Sequence, residues 1–272
     1  MANRKQSALT HYRGGRHAWW ETAISDIGPG RIVLRGRPVE QLIGTTSYAG
    51  IVALLVGNLS LTAVQSRLLE AALVAGVDHG VRAPSIAAAR MAATCGITLN
   101  SAVATGINLL GNDHGGAGEQ CMELLYQVAE HADLKAGALE AVAVHIAASN
   151  NLPGFGHQLH KTVDPRREPL LRLIEEAEAE GEIGGTYKNA ALALEAALSE
   201  AKGRSLTMNI DGATAVIYCE LGFPALAAKG LFCLSRGVGI VAHALEEMQS
   251  GTLIKGPCPP GDDLVRYVGP PA

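Results

Sequence analysis

Aromatic side chains are scarce in this chain: they make up 4% of its 272 residues, against 48% hydrophobic residues in all. A core short of rings must be filled by Ala, Leu, Val and Ile, which favours closely packed helices. Long apolar runs are also missing. None approaches the roughly 20 residues of a membrane span, and the richest stretch, Ala225 to Leu245, is interrupted by Lys229, Arg236 and His243. With a net charge of −4 and both signs spread along the chain, there is no basic stripe for nucleic acid and no polybasic run for a membrane surface. Anionic ligands would have to be held by local arginines and lysines. Cysteine pairs are lacking too. Cys95, Cys121, Cys219, Cys233 and Cys258 are scattered, odd in number and form no CxxC, so reduced thiols in a cytoplasmic protein are expected. The opening MANRKQSALTHYRGGRH has no apolar core of a secretory signal.

What is abundant is glycine, with 32 residues available as caps, breaks and points of close approach. The length allows a large core and two domains. Residues 1–18 are basic and polar and are expected to be flexible, with Trp19 and Trp20 marking the start of order. Gly30 to Gly36 alternates as a short β-ribbon would. Helical spacing dominates after it: Leu61, Val64, Leu68, Leu69 and Leu73 recur on one face. Further helices are expected over 84–95, 100–110, 118–131, 134–149, 168–180 and 186–202. Leu206 to Gly222 is apolar around one acid, Asp211. Pro224 to Met248 is the longest apolar helix, expected to break near Gly237 and Gly239. The tail from Gly251 holds five prolines and should be irregular. The chain therefore reads as all-α with one minor N-terminal β-ribbon.

Polar residues concentrate in the breaks. Leu152 to Arg167, LPGFGHQLHKTVDPRR, is the densest of these. Pro153, Gly154 and Gly156 break helices and Pro165 disfavours helix at Asp164, so the run reads as a shaped loop. It carries His157 as an acid/base group and Arg166 as a carboxylate fork; it equally fits a surface connector. His79 in DHG and His114 in NDHGG occupy similar glycine-flanked breaks. A histidine at the positive end of a helix dipole is held neutral and can donate to a substrate carbonyl. Each could instead be a cap or a satisfied core residue. Asp211 and Arg236, ionisable groups in apolar helices, need partners if buried. His157 and His160 form an HxxH pair, but neither an HExxH nor a Cys/His spacing accompanies it, so no metal is expected. GGAG (Gly115 to Gly118) lacks the ending of a phosphate-binding P-loop.

Taken together and in order, DHG, NDHGGAGE, PGFGHQLHKTVDPR, NIDG and SRGVGIVAHALEE resemble the citrate synthase superfamily. RGRPVEQLIG (Arg35 to Gly44) resembles its early RG segment, so the resemblance covers about residues 25–250. Citrate synthases are considerably longer on the N-terminal side. The short form, DHG in place of DHE and the ending GTLIKGPCPPGDDLVRYV look more like citryl-CoA lyases and the C-terminal module of ATP-citrate lyase. GND stands where the family usually has GP-x before His114. Lys255 stands about where it uses an arginine from the partner subunit, and lysine cannot make the same bidentate fork.

The resemblance implies a citrate synthase-like all-α fold, with a large helical domain (19–114 and 217–272) and a small one (115–216), forming a homodimer or higher homo-oligomer. It implies that His114 holds the thioester oxygen, that His157 lies beside the oxaloacetate carbonyl, and that Asp211 moves a proton at the acetyl methyl. His79, Arg166, Arg236 and Lys255 would bind the substrate carboxylates. Lys161, Lys202 and Arg204 would meet the phosphates of coenzyme A, bound as acyl-CoA substrate or product. The implied activity is cleavage of citryl-CoA to acetyl-CoA and oxaloacetate, with a separate CoA ligase as a partner that makes citryl-CoA. Citrate or 2-methylcitrate synthase is the alternative. A non-catalytic acyl-CoA-binding subunit or scaffold is the other, although it has no need of His114, His157 and Asp211 together.

Overall fold

The computed structural model describes residues 20–148, 151–156, 164–259, 261 and 264–270. The segment 1–18, expected to be flexible, lies outside them. The chain separates into two compact units, Met1–Ser60 and Leu61–Ala272.

In the first unit the expected ribbon is the centre of a three-stranded antiparallel meander: β1 (Ser25–Gly28), β2 (Arg31–Leu34) and β3 (Arg37–Pro38). Arg35 and Gly36 both adopt positive φ (47° and 79°) between β2 and β3, as a tight hairpin with right-handed twist requires. Two short helices follow, α1 (Val39–Leu42) and α2 (Tyr48–Val52). Ser47 caps the second by accepting from the Gly50 amide, and a π-helical turn, Ala53–Gly57, extends it.

The second unit is helical throughout. Thr62 and Gln65 form a capping box at the start of α3 (Ala63–Gly76). Proline opens α4 (Pro84–Ala93), where its missing N–H costs nothing. Then come α5 (Leu99–Asn108), α6 (Ala117–Ala129), α7 (Leu134–Ala148), α8 (Arg167–Ala179) and α9 (Thr186–Lys202). The last two are α10 (Ile210–Glu220) and α11 (Ala227–Ser250). Small residues allow α4, α5 and α11 to pack closely around Ile86, Ala89, Ala102, Ile240 and Ala244, all fully buried. A Cβ on Gly106 of α5 would come within 2.8 Å of both Ile240 and the Ser85 carbonyl. Helix α10 is buried along almost its whole length. Its last residue, Glu220, accepts from the amides of Gly185 (3.0 Å), Tyr187 (2.7 Å) and Lys188 (3.1 Å), so a carboxylate caps α9 where Gly185 has no side chain to do so.

The all-α expectation holds, with one correction. Helix α11 runs unbroken through Gly237 and Gly239. Gly239 lies where α11 meets the end of α3, and a Cβ there would strike the Val77 carbonyl and the Asp78 side chain. The glycine makes room for a neighbour rather than ending the helix. Among the described residues, no helix is long and apolar enough to cross a membrane.

Candidate active site

The site is built on the N-terminus of α10. Asn209 is its cap: the side-chain oxygen accepts from the amides of Asp211 (2.8 Å) and Gly212 (3.2 Å). The same side chain donates to the Gly156 carbonyl at 2.7 Å. Backbone bonds from Asn209 to Gly154 (3.0 Å) and from Gly156 to Thr207 (2.9 Å) flank an antiparallel bridge between Phe155 and Met208. Gly154, at φ 85°, leaves no space for a side chain, since a Cβ would lie 2.6 Å from Cys121 Sγ. The PGFG run is therefore a shaped loop stitched to the first turn of the helix that carries Asp211. His157 and Lys161 lie outside the described residues; the residue before His157 is the one that Asn209 holds.

Where the chain is next described, two consecutive arginines part. Arg166 forks onto Asp164 through Nε (2.9 Å) and Nη2 (2.7 Å), while its Nη1 reaches the Ala75 carbonyl at 3.4 Å. Arg167 forks onto Glu195, which also accepts from the Met208 amide at 2.8 Å. Asp164 is 2% exposed. Burial works against its charge, but the Arg166 side chain, with the amides of Arg166 and Ile210, brings its pKa down to about 2. The carboxylate fork expected of Arg166 is thus engaged by its own chain on one edge. The sequence marked Asp164 only as a non-helical position and not as the partner of Arg166, although the Asp-Pro-Arg spacing of an Asx turn was there to be read.

Arg236 on α11 is 4% exposed. Its Nε donates to the Gly76 carbonyl at 2.9 Å and its guanidinium lies 4.9 Å over the Phe232 ring. Among the described residues, no carboxylate is within ion-pair distance of it. Burial lowers its pKa, opposed by the charges of Asp78 and Asp211 and assisted by that of Arg166. Asp211 is raised, first by burial and then by Asp164, with Arg166 and Arg236 pulling the other way. Arg166, Asp211 and Arg236 thus come together and feel one another's charge.

His114 joins this group. Its Nε2 receives the Ser85 amide at 3.2 Å and lies 2.9 Å from the Ser85 hydroxyl. An amide can only donate, so Nε2 is an acceptor and the neutral ring carries its proton on Nδ1. Burial, and then the positive charge of Arg236, lower its pKa. The dipole acting on the ring is that of α4, whose first turn contains Ser85, rather than that of the helix following His114. Backbone bonds between Gly111 and His114 (3.0 and 3.3 Å) close the turn, and Gly115 allows the Phe232 ring to press against it.

His79 occupies the turn between α3 and α4, beside Asp78, whose Oδ2 is 3.2 Å from His243 Nε2. Lys202 ends α9 and Arg204 follows on the segment leading to Met208 and α10. The backbone of Lys255 donates to Thr94 Oγ1 and its ammonium lies 3.4 Å from Glu247, in a separate cluster around Arg90. A cleft of about 570 Å³, lined by Pro84, Arg90, Met91, Leu109 and Lys255, opens there.

Around the N-terminus of α10 the structure thus gathers a neutral imidazole, a buried acid and a guanidinium without an ion-pair partner among the described residues. Residues 58–256 match the model of the citrate synthase C-terminal domain, and the chain belongs to the citrate synthase family. It is 31% identical to the structure of citryl-CoA lyase from Hydrogenobacter thermophilus, with a TM-score of 0.84 over 93% of this chain and 96% of that one. It is 32% identical over 195 residues to citrate synthase of Haloferax volcanii, which is 71% of this chain and 49% of that protein. ATP citrate lyase from Methanothrix soehngenii, solved with citrate and coenzyme A, shares the fold at 23% identity, with a TM-score of 0.81 over 98% of this chain and 44% of that one. The chain spans about half the length of the curated citrate synthases it matches.

Proposed function

We propose that this protein cleaves citryl-CoA to acetyl-CoA and oxaloacetate by reversible Claisen-type chemistry. The observation that carries this reading is Arg236: a guanidinium 4% exposed, with no carboxylate of the described residues within ion-pair distance, whose charge acts on both Asp211 and His114. An unpaired buried charge is costly, and a substrate carboxylate would relieve it. The higher identity and closer structural fit to a citryl-CoA lyase than to the citrate synthase structures favour cleavage over synthesis.

In this reading His157 takes the proton of the tertiary hydroxyl, the carbonyl of oxaloacetate forms, and the carbon–carbon bond breaks. Its electron pair passes to the thioester oxygen, which Nδ1–H of His114 stabilises as an enolate. Asp211 then gives its proton to the terminal carbon. Burial raises Asp211, which suits an acid that must arrive protonated. In reverse, Asp211 is the base. Arg236, Arg166, His79 and Lys255 bind the carboxylates; Lys161, Lys202 and Arg204 meet the phosphates of coenzyme A. Residues 115–216 act as a small domain on a large one, in a cytoplasmic homodimer supplied with citryl-CoA by a separate ligase. On α11, Leu234, Val238, Val241 and Leu245 repeat at helical spacing and are 40%, 61%, 39% and 42% exposed, a seam suited to a second copy.

The test supplies citryl-CoA and follows oxaloacetate, then mixes acetyl-CoA with oxaloacetate and looks for free CoA. Oxaloacetate from the first and no free CoA from the second is expected. Rapid release of free CoA would instead establish the second reading, a citrate or 2-methylcitrate synthase, which the curated relatives favour. No reaction in either direction would overturn both.

A further inference from the structure

Helix α11 grips the end of α3 residue by residue. The Ser235 hydroxyl donates to the Leu73 carbonyl, and Arg236 Nε donates to the Gly76 carbonyl. Gly239 admits the Val77 carbonyl and the Asp78 side chain, and His243 Nε2 meets Asp78 Oδ2 at 3.2 Å. The last of these contacts stands directly before His79.

The His243 ring is itself held from the far side. Arg90 Nη1 lies 3.0 Å from its Nδ1. A guanidinium has only donors, so Nδ1 accepts, the ring proton is on Nε2, and that proton points to Asp78. Arg90 is in turn fixed by Glu246 and by the buried Glu247, with Lys255 beyond. At the other end, the Asp78 carboxylate interacts with the backbone amides of Gly80 and His79. A connected path thus runs from Arg90 through His243 and Asp78 to the main chain of the DHG turn.

We infer that His243 is a positioning residue for His79: by donating from Nε2 to Asp78, it sets the turn that presents the His79 ring. The assignment of His79 to the substrate rests on the function proposed above; the positioning itself does not. His243 lies outside the Arg236–Asp211–His114 group and acts on His79 through the backbone that Asp78 holds.

The test uses the full chain labelled with ring-¹³C histidine, with the His79 resonance assigned by His79→Gln. His243→Ala is expected to shift the His79 signal while leaving that of His131, at the end of α6, in place. His243→Gln keeps a donor toward Asp78 and should leave His79 near its wild-type position. Asp78→Asn, which weakens the acceptor but keeps its shape, should move His79 as His243→Ala does and serves if that variant fails to fold. In the cleavage assay His243→Ala should raise KM about tenfold, the scale of one lost hydrogen bond, with kcat changed less than about threefold and most of the loss recovered by His243→Gln. A His79 signal unmoved in folded His243→Ala or Asp78→Asn overturns the inference, as does His243→Gln behaving like His243→Ala. A wild-type protein that neither cleaves citryl-CoA nor binds oxaloacetate would sink the function instead, and the His79 signal would still judge the positioning.

Discussion

Arg90 and Arg236 are both largely buried, and they are treated in opposite ways. Arg90 is surrounded by Glu246, Glu247 and His243, and its pKa rises, chiefly through the bond to Glu246. Arg236 has a main-chain carbonyl and a phenyl face, and burial pulls its pKa down. Saturated charge is what a fold uses to hold its own helices together. Charge left unmatched beside an acid and a neutral histidine is what a ligand can complete. Arg166 stands between the two, satisfied on one edge by Asp164 and turned on the other toward the end of α3.

The contrast can be broken directly by comparing the two truncations. Arg90→Ala leaves Glu247, 1% exposed, as a buried charge without its main partner. It should cost about 3 kcal/mol in urea unfolding, the scale of a broken buried pair. Arg236→Ala should leave stability nearly unchanged or raised, because it removes an unpaired buried charge, and should mainly weaken oxaloacetate binding measured by calorimetry. An Arg236→Ala protein that unfolds as easily as Arg90→Ala, with oxaloacetate affinity intact, would erase the distinction.

Asp211→Asn sharpens it from the acid's side. Turnover should fall at least about a hundredfold, as for a lost general acid. Thermal stability should hold or rise: burial raises the pKa of Asp211, so burying this carboxyl costs stability at neutral pH, a cost that Asn removes. Near-normal turnover would remove Asp211 from the chemistry.

How much of this was legible before any coordinates depends on the range of the interaction. The helices are local, and Thr62 with Gln65 or Pro84 announce their starts through residues at fixed spacing. The glycine-flanked breaks could also be located, because Gly154 and Gly115 sit at positive φ wherever the chain goes next. What could not be read is which partner each polar group would choose. Ser85 precedes His114 by a whole helix-turn-helix, and nothing in NDHGG indicates that its ring would turn to the start of α4. Gly239 looked like a break because a glycine at a close approach and a glycine at a helix end are the same letter. Lys255 resembled a substrate contact, and within this chain its ammonium faces Glu247.

The smallest expected effect concerns the intermediate case, Arg166. The pKa of Asp164 is about 2 in the folded protein and near 3.9 in an unfolded chain. The folded value is the lower one, so the pair contributes stability above about pH 4 and loses it as pH falls toward 2, with about 2 to 3 kcal/mol present at neutrality. Asp164→Asn should lose that amount in urea unfolding at pH 7, and its gap from wild type should narrow as the pH is lowered through that window. The same variant releases Arg166 from its partner and removes a negative charge that raises Asp211. Both changes favour the ionised form of Asp211, so the alkaline limb of the cleavage rate should move to lower pH. A stability gap independent of pH would mean that Asp164 holds the turn by shape alone, and that Arg166 belongs with Arg236 rather than between the two extremes.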